Sequence, residues 1–155
     1  MTGWQRTRAV LNWVNLSTVA GLLLAKVGGA HLRRGPYGLL VADGYQLSAP
    51  KQPCFTIGNL VICHRTAEWL LDPERTRLLR HEAKHASQYA VLGLLFFPLY
   101  GLASLWSWLL TGGYGSHNWF ERHADLADGG YVPRPLRGWA ARLAARLSRP
   151  PSKSP

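Results

Sequence analysis

The chain has 155 residues, 47% of them hydrophobic, and a formal charge of +10 from 18 basic and 8 acidic side chains. That length suits one domain, and the apolar share excludes global disorder and permits a sizeable core. The charge favours anionic partners such as lipid headgroups, but no nucleic-acid-binding motif accompanies it, so no nucleic acid is expected among the partners.

Near the N-terminus, Arg6 and Arg8 precede an apolar run that imitates a signal peptide. Lys26 interrupts that run, HLRR follows at 31–34, and no small-residue cleavage site is visible. The reading is a short helix over 17–29 in an N-terminal helical segment, 1–34. Next, GPYGLLVADGYQLSA (35–49) reads as two strands around Asp43-Gly44, a pair that favours a tight turn. CFTIGNLVICH (54–64) is a further strand with an irregularity at Gly58-Asn59. Cys54 and Cys63 are too few for a disulfide framework and lack metal-knuckle spacing. They read as small buried residues of a protein in a reducing compartment.

Asp72 and Pro73 supply the cap and first position of a helix running to about Phe96, where Pro98 disfavours continuation. A second helix covers 99–110 and stops at Gly112-Gly113. A third begins at Asn118 and ends at Gly129-Gly130. Residues 85–120 contain no Asp, Glu, Lys or Arg, and 90–110 is long enough to cross a bilayer. A straight helix from His85 to Leu110 would advance about 38 Å, leaving little chain to return, so a helical hairpin turning at Pro98 is expected instead. The hairpin would pack as core or dip into a membrane interface. In the basic amphipathic tail, 133–155, Leu136, Trp139, Ala140, Leu143 and Leu147 recur at helical spacing opposite arginines. That pattern suits a core-facing helix and an anionic membrane surface equally. Its last eight residues, rich in Pro, Ser and Lys, are expected to be disordered.

The chemistry concentrates in RHEAKHASQYA (80–90). Four residues of helix turn about 400°, so His81 and His85 project from one side and can meet one metal ion. Glu82 stands beside them, placed to act on water without ligating. Two imidazoles, a carboxylate and an open position are a catalytic zinc set. The first carboxylate after the motif is Glu121, in NWFERHAD, with Asp125 one turn further on. A ligating Glu121 followed by an Asp125 that accepts the free N–H of a ligand imidazole would build the ligand and its support in one turn. The bland alternatives are partly buried, hydrogen-bonded rings for His81 and His85 without a metal, a capping box at Asn118–Glu121, a solvated Asp125 and a solvent-facing Lys84.

With HEAKH (81–85) and ERHAD (121–125) in view, the chain resembles the gluzincin-type, thermolysin-like zinc metallopeptidases in a minimal single-domain form, over roughly 55–130. The resemblance implies His81, His85 and Glu121 as ligands of Zn2+, Glu82 as general base, Asp125 orienting a ligand histidine, and a peptide or protein substrate. It also implies an edge strand within 56–63 that pairs with extended peptide. The chain departs from the family in lacking a large C-terminal lobe and a marked oxyanion-stabilising residue. Tyr131 is chosen for that catalytic role over Tyr114, His117 and His123. The fold expected is α+β: a small antiparallel sheet packed on the HExxH helix, a helical hairpin and a glutamate helix, in a metallopeptidase-like domain over 35–132. The location expected is cytoplasmic, with peripheral attachment to the membrane as an option. The alternatives are an inactive zinc-binding or membrane-associated interaction domain of the same fold, and a membrane protein in which 90–110 is a true span.

Overall fold

A computed structural model describes residues 1–148. The chain is a mixed α+β protein. Its elements are α1 (Gly3–Val14), α2 (Ser17–Val27), β1 (His31–Arg34), β2 (Leu40–Asp43), β3 (Cys54–Ile57), β4 (Leu60–Cys63), α3 (Ala67–Leu71), α4 (Thr76–Leu92), α5 (Phe96–Thr111), α6 (Trp119–His123) and α7 (Gly138–Leu147). The expected disordered end falls, apart from Ser148, outside the described residues.

The four strands form one sheet in the order β1-β2-β4-β3. It is mixed rather than antiparallel, because the loop after β2 carries the chain across and β4 pairs parallel to β2. The Asp43-Gly44 pair is not a hairpin turn. The first hairpin joins β1 to β2 through Gly35–Leu39, where the Gly35 amide donates to the Leu39 carbonyl at 2.9 Å. β1 is HLRR, exposed along its whole length, and its arginines protect a sheet edge. The irregularity at Gly58-Asn59 is a turn that divides the expected single strand into β3 and β4. Gly58 has φ of +63°, and a Cβ there would lie 2.3 Å from the Thr18 amide nitrogen of α2.

Both faces of the sheet are covered, so β4 reads as the uninterrupted LVIC and is wholly buried. Ala42, Leu60 and Ile62 pack with Tyr89, Phe96 and Phe120, while Val41, Val61 and Cys63 pack with Leu70, Leu79 and Ala86. Cys54 and Cys63 face each other across the β3–β4 hairpin and form a disulfide. The expectation of free thiols fails because the register places them at a closely spaced cross-strand pair, a proximity that C-x8-C spacing does not reveal.

α1 was not anticipated, although Thr2 and Gln5 form a capping box at its start. It lies along α4, tied by buried side chains: Arg8 donates to the Tyr37 and Ala83 carbonyls and Asn12 to the Ala86 carbonyl. Asp72 caps a short 3-10 turn at Pro73–Arg75, from which α4 departs. α4 ends at Gly93, whose φ of +57° no helix tolerates, five residues before the expected break. Pro98 sits instead in the first turn of α5, where a missing amide hydrogen costs nothing. The chain bends at this break, bringing the Tyr100 ring of α5 to 6.2 Å from His85. α6 is shorter than expected, stopping at His123 because Asp125 takes a left-handed φ of +67°.

Candidate metal centre

α4 presents His81, Glu82, His85, Gln88 and Tyr89 on one buried face, where a core helix would carry aliphatic residues. α6 meets that face and buries Glu121 to 2% exposure. Asn118 caps α6 by accepting the Phe120 amide at 2.9 Å, and its own amide donates to the Gly115 carbonyl, which leaves Glu121 without a capping role. Its carboxylate turns to the histidines: Oε2 lies 3.2 Å from His81 Nε2, and Oε1 lies 3.6 Å from His85 Nε2. The two Nε2 atoms are 3.0 Å apart.

The far side of each ring fixes what the near side offers. His81 Nδ1 is 3.0 Å from both the Ala124 and the Asp125 carbonyl oxygens. Carbonyls only accept, so Nδ1 carries the hydrogen and the neutral ring offers its lone pair at Nε2. His85 Nδ1 is 2.8 Å from Gln88 Oε1. The orientation of that amide is set in turn, because Gln88 Nε2 donates to the Phe120 carbonyl at 3.0 Å. His85 therefore also points a lone pair inward. Glu121 Oε2 is buried without a hydrogen-bond donor. With both rings neutral, three acceptors converge on one point and repel one another unless a metal ion or a shared proton lies among them.

The separations suit such an ion. Donors bound at about 2.0–2.1 Å in tetrahedral geometry stand about 3.3 Å apart, and the ligating atoms of His81, His85 and Glu121 all lie within 4.8 Å of one another. This buried group could hold a metal ion. Burial pushes Glu121 up, but the bonds to His81 and His85 and the Tyr100 hydroxyl outweigh it and hold the carboxyl well below its usual range. Burial pushes His81 down, and the bond to Glu121 with the charges of Glu82 and Glu121 overcomes it, so without an ion this ring favours a second proton, which a bound metal would displace.

Glu82 lines the same cavity, of about 380 Å³, together with Phe55 and Thr56 of β3. Its Oε2 accepts a 2.6 Å hydrogen bond from the Thr56 hydroxyl. Tyr131 reaches the site as well, its hydroxyl 3.4 Å from Glu121 Oε1. Burial and then the Glu121 charge push its ionisation up to about 12, so the hydroxyl keeps its proton.

Asp125 does not orient His81 through its carboxylate. The left-handed turn at Asp125 sends that side chain to Lys84, and the main-chain carbonyls of Ala124 and Asp125 bond the ring instead. Lys84 thus has a partner rather than plain solvent. Tyr114 is exposed, and His123 stacks on Trp119 with ring centroids 5.1 Å apart. Four contributors were not read from the sequence. Tyr100 donates to Glu121 Oε1, Gln88 and Thr56 set His85 and Glu82, and Gly129 makes room for His81, whose Cε1 would be 2.5 Å from a Cβ there. Gln88, three residues beyond His85 on one helix face, is the one that spacing could have revealed. No known protein family, curated protein or solved structure matches the chain. A functional reading therefore rests on the geometry.

Proposed function

We propose that the protein is a zinc-dependent hydrolase of peptide bonds, acting in the manner of the gluzincin-type metallopeptidases that HEAKH and ERHAD resemble. The observation that carries the reading is Glu82: a buried carboxylate, oriented by Thr56, in the same cavity as the three convergent ligand atoms. A structural metal site needs no such neighbour. His81, His85 and Glu121 would hold the ion, which supplies the Lewis acidity that makes water nucleophilic near neutral pH. Glu82 accepts the proton of the attacking water and returns it to the leaving amine. Tyr131, protonated at working pH, donates a hydrogen bond to the oxyanion that develops on the scissile carbonyl. β3 is an edge strand lining the cavity, which suits pairing with an extended substrate.

The Cys54–Cys63 disulfide favours an oxidising compartment over the cytoplasm first expected. The test of the function pairs wild type with Glu82→Gln on a quenched-fluorescence peptide library. Both should retain metal, and the variant should lose at least ~10²-fold in cleavage rate. Undiminished cleavage by Glu82→Gln overturns the mechanism. A zinc-loaded wild type inert towards every peptide turns the reading to a non-catalytic metal-holding interaction module.

A further inference from the structure

The polarity of α5 is inverted. Its buried, inward stripe includes Ser107 and Thr111, with Tyr100 bonded to Glu121 and Ser104 bonded to Asn118. Its exposed stripe carries Phe97, Leu99, Leu102, Leu105, Trp106 and Leu109. A helix facing water places its polar residues outward. One facing hydrocarbon does the reverse, turning hydroxyls to partners within the protein. An apolar eighteen-residue stretch within Pro73–Thr111 is only 22% buried, where the core helix of a soluble protein is mostly buried.

A second uncharged segment meets the first. Residues 9–25, like 85–120, contain no Asp, Glu, Lys or Arg. The fold joins the turn of the first to the break of the second: Asn15 donates to the Tyr89 carbonyl at 2.9 Å, and its Cβ lies 3.2 Å from where a Gly93 Cβ would be. Around this junction stand Leu16 at 57%, Val91 at 75% and Leu95 at 66% exposure, with the exposed Val14 two residues before Leu16. Leu16 holds a left-handed φ of +65°, an unusual place for an exposed leucine. At the other end of α5 the surface changes character. Arg137 lies over the Trp108 ring at 5.1 Å and Arg134 donates to the Gly112 carbonyl at 3.0 Å. Tryptophan with arginine is the pairing found at headgroup level.

We infer that this surface seats in a lipid bilayer, the tip at Leu16, Val91 and Leu95 entering the acyl region and the Trp108–Arg137 end resting among anionic headgroups. The observations above carry this inference whether or not the site hydrolyses peptides. The net charge of +10 complements an anionic leaflet. If the hydrolytic reading also holds, its substrates are peptide segments close to the membrane surface.

The test is flotation of the full-length protein with phosphatidylcholine vesicles and with phosphatidylcholine–phosphatidylglycerol vesicles, at low and high salt. Wild type floats with both, more strongly with the anionic vesicles, and part of the binding survives high salt. Leu16→Glu/Leu95→Glu changes only exposed side chains and lowers binding at least ~10-fold, with metal content and circular dichroism unchanged. Arg134→Ala/Arg137→Ala weakens binding to the anionic vesicles alone. The inference is overturned if wild type does not float, if the glutamate pair floats like wild type, or if lipid-free protein is a dimer that the glutamate pair dissociates. Metal content and peptide cleavage are read separately, so failure here leaves the hydrolytic reading to its own test.

Discussion

Gln88 joins His85, the Phe120 carbonyl and His123 at once, and the tautomer of His85 depends on it. Its amide nitrogen is committed to the Phe120 carbonyl, so its oxygen faces His85 Nδ1 and turns the Nε2 lone pair inward. Gln88→Leu removes that constraint while keeping volume, and should lower metal affinity about 10–100-fold in a chelator competition. An unchanged affinity would mean that the ring is held by packing alone. Gly129 acts by absence: a Cβ there would stand 2.5 Å from His81 Cε1, in a ring already held by two carbonyls. Gly129→Ala should therefore weaken metal binding at least ~10-fold by the same titration. Neither residue carries a motif. The convergence of His81 and His85 was legible because i and i+4 on a helix is a local geometry that sequence spacing encodes. Thr56, Tyr100 and Gly129 belong to the site only through tertiary contacts, whereas Gln88 sits one helical turn from His85. Asp125 was misread for a related reason: the reading extended α6 through it, and the left-handed turn there redirected its side chain.

At the scale of elements, glycines decide where helices and strands stop. A break between α4 and α5 was legible, but it was assigned to Pro98, when a proline in the first turn of a helix is compatible with that helix. Gly93 at φ of +57° makes the break instead. β1 went unseen because an arginine-rich, fully exposed edge strand shows no alternation of apolar and polar residues. Gly58 and Gly130 both hold positive φ, +63° and +76°, but only Gly58 abuts backbone, the amide of Thr18. Each alanine substitution costs about 1–2 kcal/mol for the left-handed conformation, and Gly58→Ala should cost more because α2 must also move. Urea unfolding of the two variants checks the order, and equal losses would contradict the packing of α2 on the hairpin turn. Leu70 is wholly buried between the sheet and α4. Leu70→Ala should cost about 2–5 kcal/mol by the same measurement.

Across the whole molecule, the mixed α+β class followed from the alternation of short β-rich runs and long helical ones, while the parallel pairing of β2 with β4 did not. That pairing is set by a long loop with no periodicity to read. The disulfide was equally hidden, since only the strand register brings Cys54 to Cys63. Protein denatured without reductant should therefore show no free thiol, because the two cysteines are the only ones in the chain. Reduction should remove about 2–3 kcal/mol of stability, the scale expected for so short a closed loop. Two reactive thiols per chain would return the protein to a reducing compartment. The uncharged stretch from 85 to 120 was legible as membrane-like or core-like, and the inverted polarity of α5 required coordinates.

The central claim is that side chains from two helices, His81 and His85 on α4 and Glu121 on α6, share one ion beside Glu82. The most direct measurement is the metal-to-protein ratio of wild type, His81→Ala, Glu121→Ala and Glu82→Gln, purified alike and confirmed folded. The account predicts about one zinc per chain in wild type and in Glu82→Gln, and loss of the ion in His81→Ala and Glu121→Ala. Wild type without metal, or Glu121→Ala retaining a full equivalent, would contradict it.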